Sequence, residues 1–221
     1  MKSLFKASVF AAACTLIGAS SSFAMLAVDF GTSTSPVESG FTGVSSVGPS
    51  GIGSIGGSPV SLSITTGTTP GTFGTGDKGG PDALNRDWIK STTSSNSAGD
   101  FIDLVLSGVP AGSYTFTGFF HLTDPSTGQY ANAETLVALD GAPKLSVVRS
   151  EGTETPASGS FNFSTDGSGD LTFSVTLADA NKRPVLINGF TLAAVPEAGA
   201  FLVWSMLSGV AVVRYRGKRR A

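Results

Sequence analysis

Residues 113–122 read Ser-Tyr-Thr-Phe-Thr-Gly-Phe-Phe-His-Leu. Aromatic residues alternate with small or hydroxylated ones, and no proline interrupts them. This is the period of a strand with one buried face, with Tyr114, Phe116 and then Phe119 or His121 on alternating faces. A turn cluster, Ser-Gly-Val-Pro-Ala-Gly, leads into it at 107–112. Upstream, 101–106 and 26–30 (LAVDF) read as strands, and 60–64 (VSLSI) alternates cleanly. Residues 31–59 are rich in Gly and Ser and only weakly patterned. Residues 67–81 hold six glycines and two prolines and read as a long loop. Residues 82–90 (DALNRDWIK) suit a short helical or irregular turn. Downstream, strands at 135–139 and 144–149 flank Asp140-Gly141, a hairpin signal. Strands at 160–164 and 171–177 flank Asp166-Gly167-Ser168-Gly169-Asp170, which predicts a second hairpin with a longer loop. Residues 184–192 supply the last strand. Nine strands with frequent turns and no long amphipathic helix predict an all-β fold, an antiparallel β-sandwich or barrel.

Composition agrees with many short strands. Charged residues make up 14% of the chain, and Phe (15) outnumbers Trp (2) and Tyr (3) together. The formal net charge of −2 conceals a strong asymmetry. Seven basic residues stand against all 16 acidic ones between Asp29 and Glu197, a net charge of −9. Nucleic acid is thereby excluded as a partner, because phosphate binding needs clustered Lys and Arg. Neutral sugars or metal ions are compatible with such a body.

The ends are of a different kind. Residues 1–24 begin with Lys2 and Lys6, continue through an apolar run at 7–19, and finish Ser22-Phe23-Ala24. This pattern is a secretory signal peptide, an N-terminal signal helix cut by signal peptidase after Ala24. The single cysteine, Cys14, lies inside it, so the processed chain has neither a disulfide nor a thiol nucleophile. Residues 195–221 read VPEAGAFLVWSMLSGVAVVRYRGKRRA. Residues 198–213 carry no charge. At ~1.5 Å per residue they form a helix of roughly 24 Å against a hydrocarbon core of ~30 Å, and flanking Arg can snorkel across the difference. Arg214, Arg216, Lys218, Arg219 and Arg220 form a basic stop that stays cytoplasmic and leaves the domain outside. The expected organisation is therefore a leader (1–24), a β domain (25–194) and a tail (195–221) with a single transmembrane helix.

In its order of motif, apolar helix and basic cluster, the tail resembles the PEP-CTERM sorting signal. The motif stands here as Val195-Pro196-Glu197, with Ala198 in place of the second proline. The resemblance covers about 27 residues. It implies recognition by an exosortase, a membrane transpeptidase that cuts near the motif. The membrane anchor is then transient, and the product passes to the cell surface or extracellular matrix. Within the domain, several stretches resemble galactose-binding-type jelly rolls: Asp29-Phe30-Gly31, Asn85-Arg86-Asp87-Trp88, residues 106–116, and Ile187-Asn188-Gly189-Phe190. That resemblance implies a jelly-roll sandwich of a type common in exported proteins and carbohydrate-binding modules.

No catalytic constellation is legible, and the chain reads as non-enzymatic. Its one histidine, His121, lacks a second His or Cys for zinc. The carboxylate pairs Asp100/Asp103 and Asp82/Asp87 keep an extracellular carbohydrate-active hydrolase or lyase as an alternative. For sugar binding the candidates are Trp88, beside Arg86, together with Tyr130, Tyr114 and His121. Stacking and charged hydrogen bonding suit sugars, but a plug at one end of the sandwich is the favoured account of Trp88. No cofactor is expected. Calcium is the one metal with a candidate, the alternating oxygens of Asp166, Ser168 and Asp170, and a tight turn explains the same residues. The leading expectation is an exported surface or matrix protein that binds polysaccharide or acts structurally. A surface protein whose tail is never cut is a further alternative.

Overall fold

The computed structural model describes residues 25–67, 72–75, 83–91, 100–122, 132–152, 155–179 and 184–196. The leader with Ala24, residue Tyr130 and everything from Glu197 onward, including the basic stop, lie outside the described residues. Fifteen strands occur among the described residues. The first five are β1 (Met25–Phe30), β2 (Thr42–Val44), β3 (Ser50–Ile55), β4 (Ser58–Thr66) and β5 (Thr72–Thr75). A single 3-10 turn at Ala83–Asn85 precedes β6 (Asp87–Ser91), β7 (Ile102–Ser107) and β8 (Gly112–Leu122). Then follow β9 (Glu134–Leu139), β10 (Ala142–Val148), β11 (Ser150–Glu151) and β12 (Ala157–Thr165). The last three are β13 (Leu171–Leu177), β14 (Val185–Ile187) and β15 (Gly189–Ala194).

Two sheets form a sandwich. One runs β8-β15-β1-β2, with β12 and β11 both along the free side of β8. The other runs β10-β9-β13-β7-β4-β3. Pairing is antiparallel except for β1 with β2 and β11 with β8. A small third sheet, β14-β6-β5, caps one end.

The alternation read in residues 113–122 sets the core. Tyr114, Phe116 and Phe120 point inward and are buried. Phe116 stacks on Phe173 of the opposite sheet, with centroids 4.5 Å apart and planes at 15°. It also stacks on Phe190 of the neighbouring strand at 5.6 Å. Phe161 and Phe163 of β12 complete the cluster. Burying each such ring contributes roughly 1.5–3 kcal/mol. Phe120, not Phe119, continues the inward face; Phe119 points outward and meets Phe41 edge-on.

Several expectations need correction. The stretch 166–170 is not a hairpin loop. β12 pairs with β8, whereas β13 pairs with β7 and β9, so the loop carries the chain from one sheet to the other. The expected loop at 67–81 contains strand β5; the expected short helical turn within 82–90 is present as the 3-10 turn Ala83–Asn85, but from Asp87 onward the stretch is strand β6. The closing strand divides at Asn188 into β14 and β15. The Asp140-Gly141 hairpin is present, with positive φ at both residues (49° and 79°), the type I′ geometry that matches strand twist. Among the described residues no helix is long and apolar enough to cross a membrane.

Candidate functional site

The two ends of the sandwich are unlike. At one end, β3–β4 and β9–β10 are joined by two residues each, β7–β8 by four and β12–β13 by five. Both ends of the domain leave here, because Met25 pairs with Ala193 on adjacent strands. We call it the terminal pole. At the opposite, distal pole the chain takes longer paths. Eleven residues separate β1 from β2, ten separate β6 from β7 and eleven separate β8 from β9. Long connections on a rigid scaffold are where binding residues concentrate.

A buried polar knot holds the distal pole together, centred on Asn188 (0% exposed). Its backbone N–H donates to the Phe119 carbonyl, and its own carbonyl accepts from the Phe30 N–H, both at 2.9 Å. Its side-chain oxygen accepts from the His121 N–H at 2.6 Å, and its amide nitrogen donates to the Asp87 carbonyl at 2.7 Å. One residue thereby ties β1, β6 and β8 together. The interruption between β14 and β15 falls here because both backbone groups and the side chain are committed to other strands.

His121 belongs to the same knot. It is fully buried, with Nδ1 2.9 Å from the Ser150 hydroxyl and Nε2 3.1 Å from the Gly152 carbonyl. The carbonyl can only accept, so Nε2 carries a proton. Both nitrogens are used within the fold, and the ring is enclosed rather than presented to a ligand. Arg149, also buried, donates from Nη1 to the Pro184 carbonyl at 2.8 Å. Burial lowers its pKa to about 10, partly opposed by Glu151, and it remains charged at neutral pH.

Asp29 and Asp87 are buried beside the knot. Asp29 Oδ2 accepts the Glu38 N–H at 2.7 Å, and Glu38 Oε2 accepts the Ala83 N–H at 3.0 Å. This relay pins the β1–β2 connection and the 3-10 turn to the end of β1. Burial raises the Asp29 pKa to about 6; the Glu38 N–H bond opposes the rise, and the Asp87 and Glu38 charges add to it. A carboxyl with such a pKa is suited to proton transfer, yet Asp29 is only 2% exposed.

Trp88 is half-buried, unlike the fully enclosed His121 and the buried Tyr114. Along β6, Asp87, Ile89 and Ser91 are buried while Trp88 and Lys90 are half-buried on the other face. The Lys90 ammonium lies 5.9 Å from the indole centroid. The indole N–H is buried without a hydrogen-bond partner among the described residues. Arg86, half-buried in the turn before β6, donates its backbone N–H to the Ala83 carbonyl. Arg86, Trp88 and His121 thus share the distal pole, with His121 in its interior. The jelly-roll resemblance picks out the stretches that hold Asp29, Asp87 and Asn188, but no local pattern shows that they meet at one pole or that Arg149 is buried there.

The proposed calcium loop lies at the other pole. Asp166 Oδ1 accepts from both the backbone and the hydroxyl of Ser168, at 2.9 and 2.7 Å. These bonds, the hydroxyl's first, lower the Asp166 pKa. Asp166, Ser168 and Asp170 are all exposed. The described residues contain no grouping of three or more His, Cys, Asp or Glu fit for a metal ion. An exposed turn that closes on itself accounts for the geometry of Asp166 and Ser168.

Comparison with known proteins defines the class as an all-β sandwich. No family model matches the chain. No curated protein matches it either. Among solved structures, the extracellular domain of ANXUR2 from Arabidopsis thaliana is similar at 11% identity and a TM-score of 0.50, over 79% of this chain and 42% of that one. The chain therefore spans about two-fifths of that plant ectodomain. A family 35 carbohydrate-binding module from Clostridium thermocellum aligns at 14% identity and a TM-score of 0.39, over 61% of this chain and 92% of that one. A module of the same family from Cellvibrio japonicus Abf62 aligns at 14% identity and a TM-score of 0.38, over 61% and 94%. The likeness to the plant ectodomain concerns the fold.

Proposed function

We propose that this is an exported surface or matrix protein whose jelly-roll-type sandwich binds polysaccharide through its distal pole. In this reading signal peptidase removes residues 1–24, the segment 198–213 anchors the chain in the membrane, and an exosortase acts at Val195-Pro196-Glu197. The observation that carries it is the polarity of the sandwich. Both membrane-directed segments join the fold at the terminal pole, through paired Met25 and Ala193. The half-buried Trp88–Lys90 face of β6 lies at the opposite pole. An indole face offers a sugar an apolar platform, and the neighbouring ammonium supplies a hydrogen-bond donor.

Two measurements test the reading. Intact mass of the protein from its host should correspond to a product from about Met25 to about Glu197; retention of residues 214–221 would make the tail a permanent anchor. Affinity electrophoresis of that product through gels containing neutral polysaccharides should show retardation, and Trp88→Ala should remove it without lowering Tm by more than a few degrees. Unchanged retardation in Trp88→Ala would exclude this face as the platform.

A further inference from the structure

The ladder between β15 and β8 runs to the very start of the sorting motif. Ala193 pairs with Thr115 and Ala194 with Tyr114. The Val195 N–H then donates to the Ser113 carbonyl at 2.8 Å. The next residue is Pro196, which has no N–H to extend the ladder. β15 is no edge strand, for it lies between β8 and β1, and its Phe190 and Leu192 are fully buried. An enzyme that cuts a peptide bond needs the flanking residues accessible and free of such pairing. Here the upstream residues can be offered only by drawing a central strand out of the sheet. Downstream there is little slack. Three residues, 195–197, separate β15 from the apolar run, and they span roughly 10 Å when fully extended.

We propose that strand β15 controls cleavage at this motif: the enzyme cuts chains in which β15 has not yet zipped onto β8, or has opened from it. C-terminal processing therefore competes with closure of the sandwich. The proposal rests on the sorting reading and adds to it a rate set by the fold. In the step itself, one peptide bond within residues 195–198 breaks. Its acyl group passes to an enzyme nucleophile and then to water or an amine acceptor, and its amine leaves with the tail, protonated. Where opening is fast relative to cutting, the rate follows the population of the open form.

The test compares three full-length chains in the native host by pulse-chase and intact mass. These are the unmodified chain, one with a flexible Gly/Ser insertion of about six residues between Ala194 and Val195, and Leu192→Ala. The insertion leaves the fold and the motif intact and moves them apart; Leu192→Ala weakens β15 without touching the motif. Both should be processed at least several-fold faster than the unmodified chain. If Leu192→Ala fails to fold, the insertion alone decides. Equal processing rates in the unmodified and insertion chains overturn the control by β15 and leave the sorting reading standing. Retention of residues 214–221 in every chain overturns both.

Discussion

Asp29 and Asn188 show how single residues set the stability of the distal pole. Asp29 has a folded pKa of about 6 against an ordinary 3.8, because burial disfavours its charge. A raised pKa means that the folded state binds the proton more tightly than the unfolded chain. Its stabilising contribution is therefore full below about pH 4 and is lost as pH rises through about 6. The groups facing it, Asp87 and Glu38, act in the same direction while they are ionised. Asp29→Asn should keep an acceptor for the Glu38 N–H and remove the buried charge. We expect it to stabilise the protein at pH 7.5 by up to roughly 2–3 kcal/mol, with no gain at pH 4. Urea unfolding of both proteins at the two pH values checks this; equal differences at both would refute it. Asn188→Ala leaves the His121 N–H and the Asp87 carbonyl without their side-chain partner. A loss of about 2–5 kcal/mol is expected by the same measurement, whereas a loss below about 1 kcal/mol would mean that water replaces the amide. The sequence displays neither role. Asn188 reaches partners 67 and 101 residues away, and a lone Asn between two apolar runs has the same appearance as a turn.

At the scale of elements, local chemistry was legible where it alone decides the outcome. The strong alternation of 113–122 became the central strand β8, and Asp140-Gly141 became the tight hairpin, because two positive φ angles return the chain within one sheet. The same signals misled at 166–170. A strand, a Gly-rich turn and a strand describe a hairpin or a crossover equally well. Five residues can extend over roughly 17 Å, enough to bridge sheets ~10 Å apart. Strands β2 and β3 were hidden for another reason: β2 has three residues, and β3 holds two glycines, so neither shows a period. Gly189 reports how closely β15 approaches β1. A Cβ there would stand 2.4 Å from the Val28 carbonyl oxygen and 2.7 Å from Leu84 Cδ2. Backbone cannot yield as a flexible side chain can. Gly189→Ala is therefore expected to lower Tm by more than about 5 °C, the equivalent of 2 kcal/mol or more in a domain of this size. An unchanged melting curve would show that β15 can slide away from β1.

The whole molecule is organised by its two poles, and that organisation was only half visible beforehand. Strands β1 and β8 were legible in the sequence, but that β1 begins where β15 ends depends on their being neighbours, a long-range pairing that no local pattern encodes. Paired insertions test the consequence. A six-residue Gly/Ser insertion between Gly56 and Gly57 falls in an exposed turn at the terminal pole, where space is open around both residues. The same insertion directly after Leu122 falls where β8 leaves the distal pole. Loop lengthening of this kind adds about 1 kcal/mol or less of closure entropy, so both variants should melt within a few degrees of the parent. Their binding should differ. The terminal-pole insertion should leave retardation by neutral polysaccharide unchanged, and the distal insertion should weaken it at least tenfold. With a net charge of −9 between Asp29 and Glu197, binding of an uncharged polymer should also vary little between low and high salt, because no counterions are released. Loss of retardation in the terminal-pole variant at unchanged Tm would move the binding surface to the terminal pole. The two poles would then exchange roles, and the sandwich would hold its ligand beside the paired ends of β1 and β15.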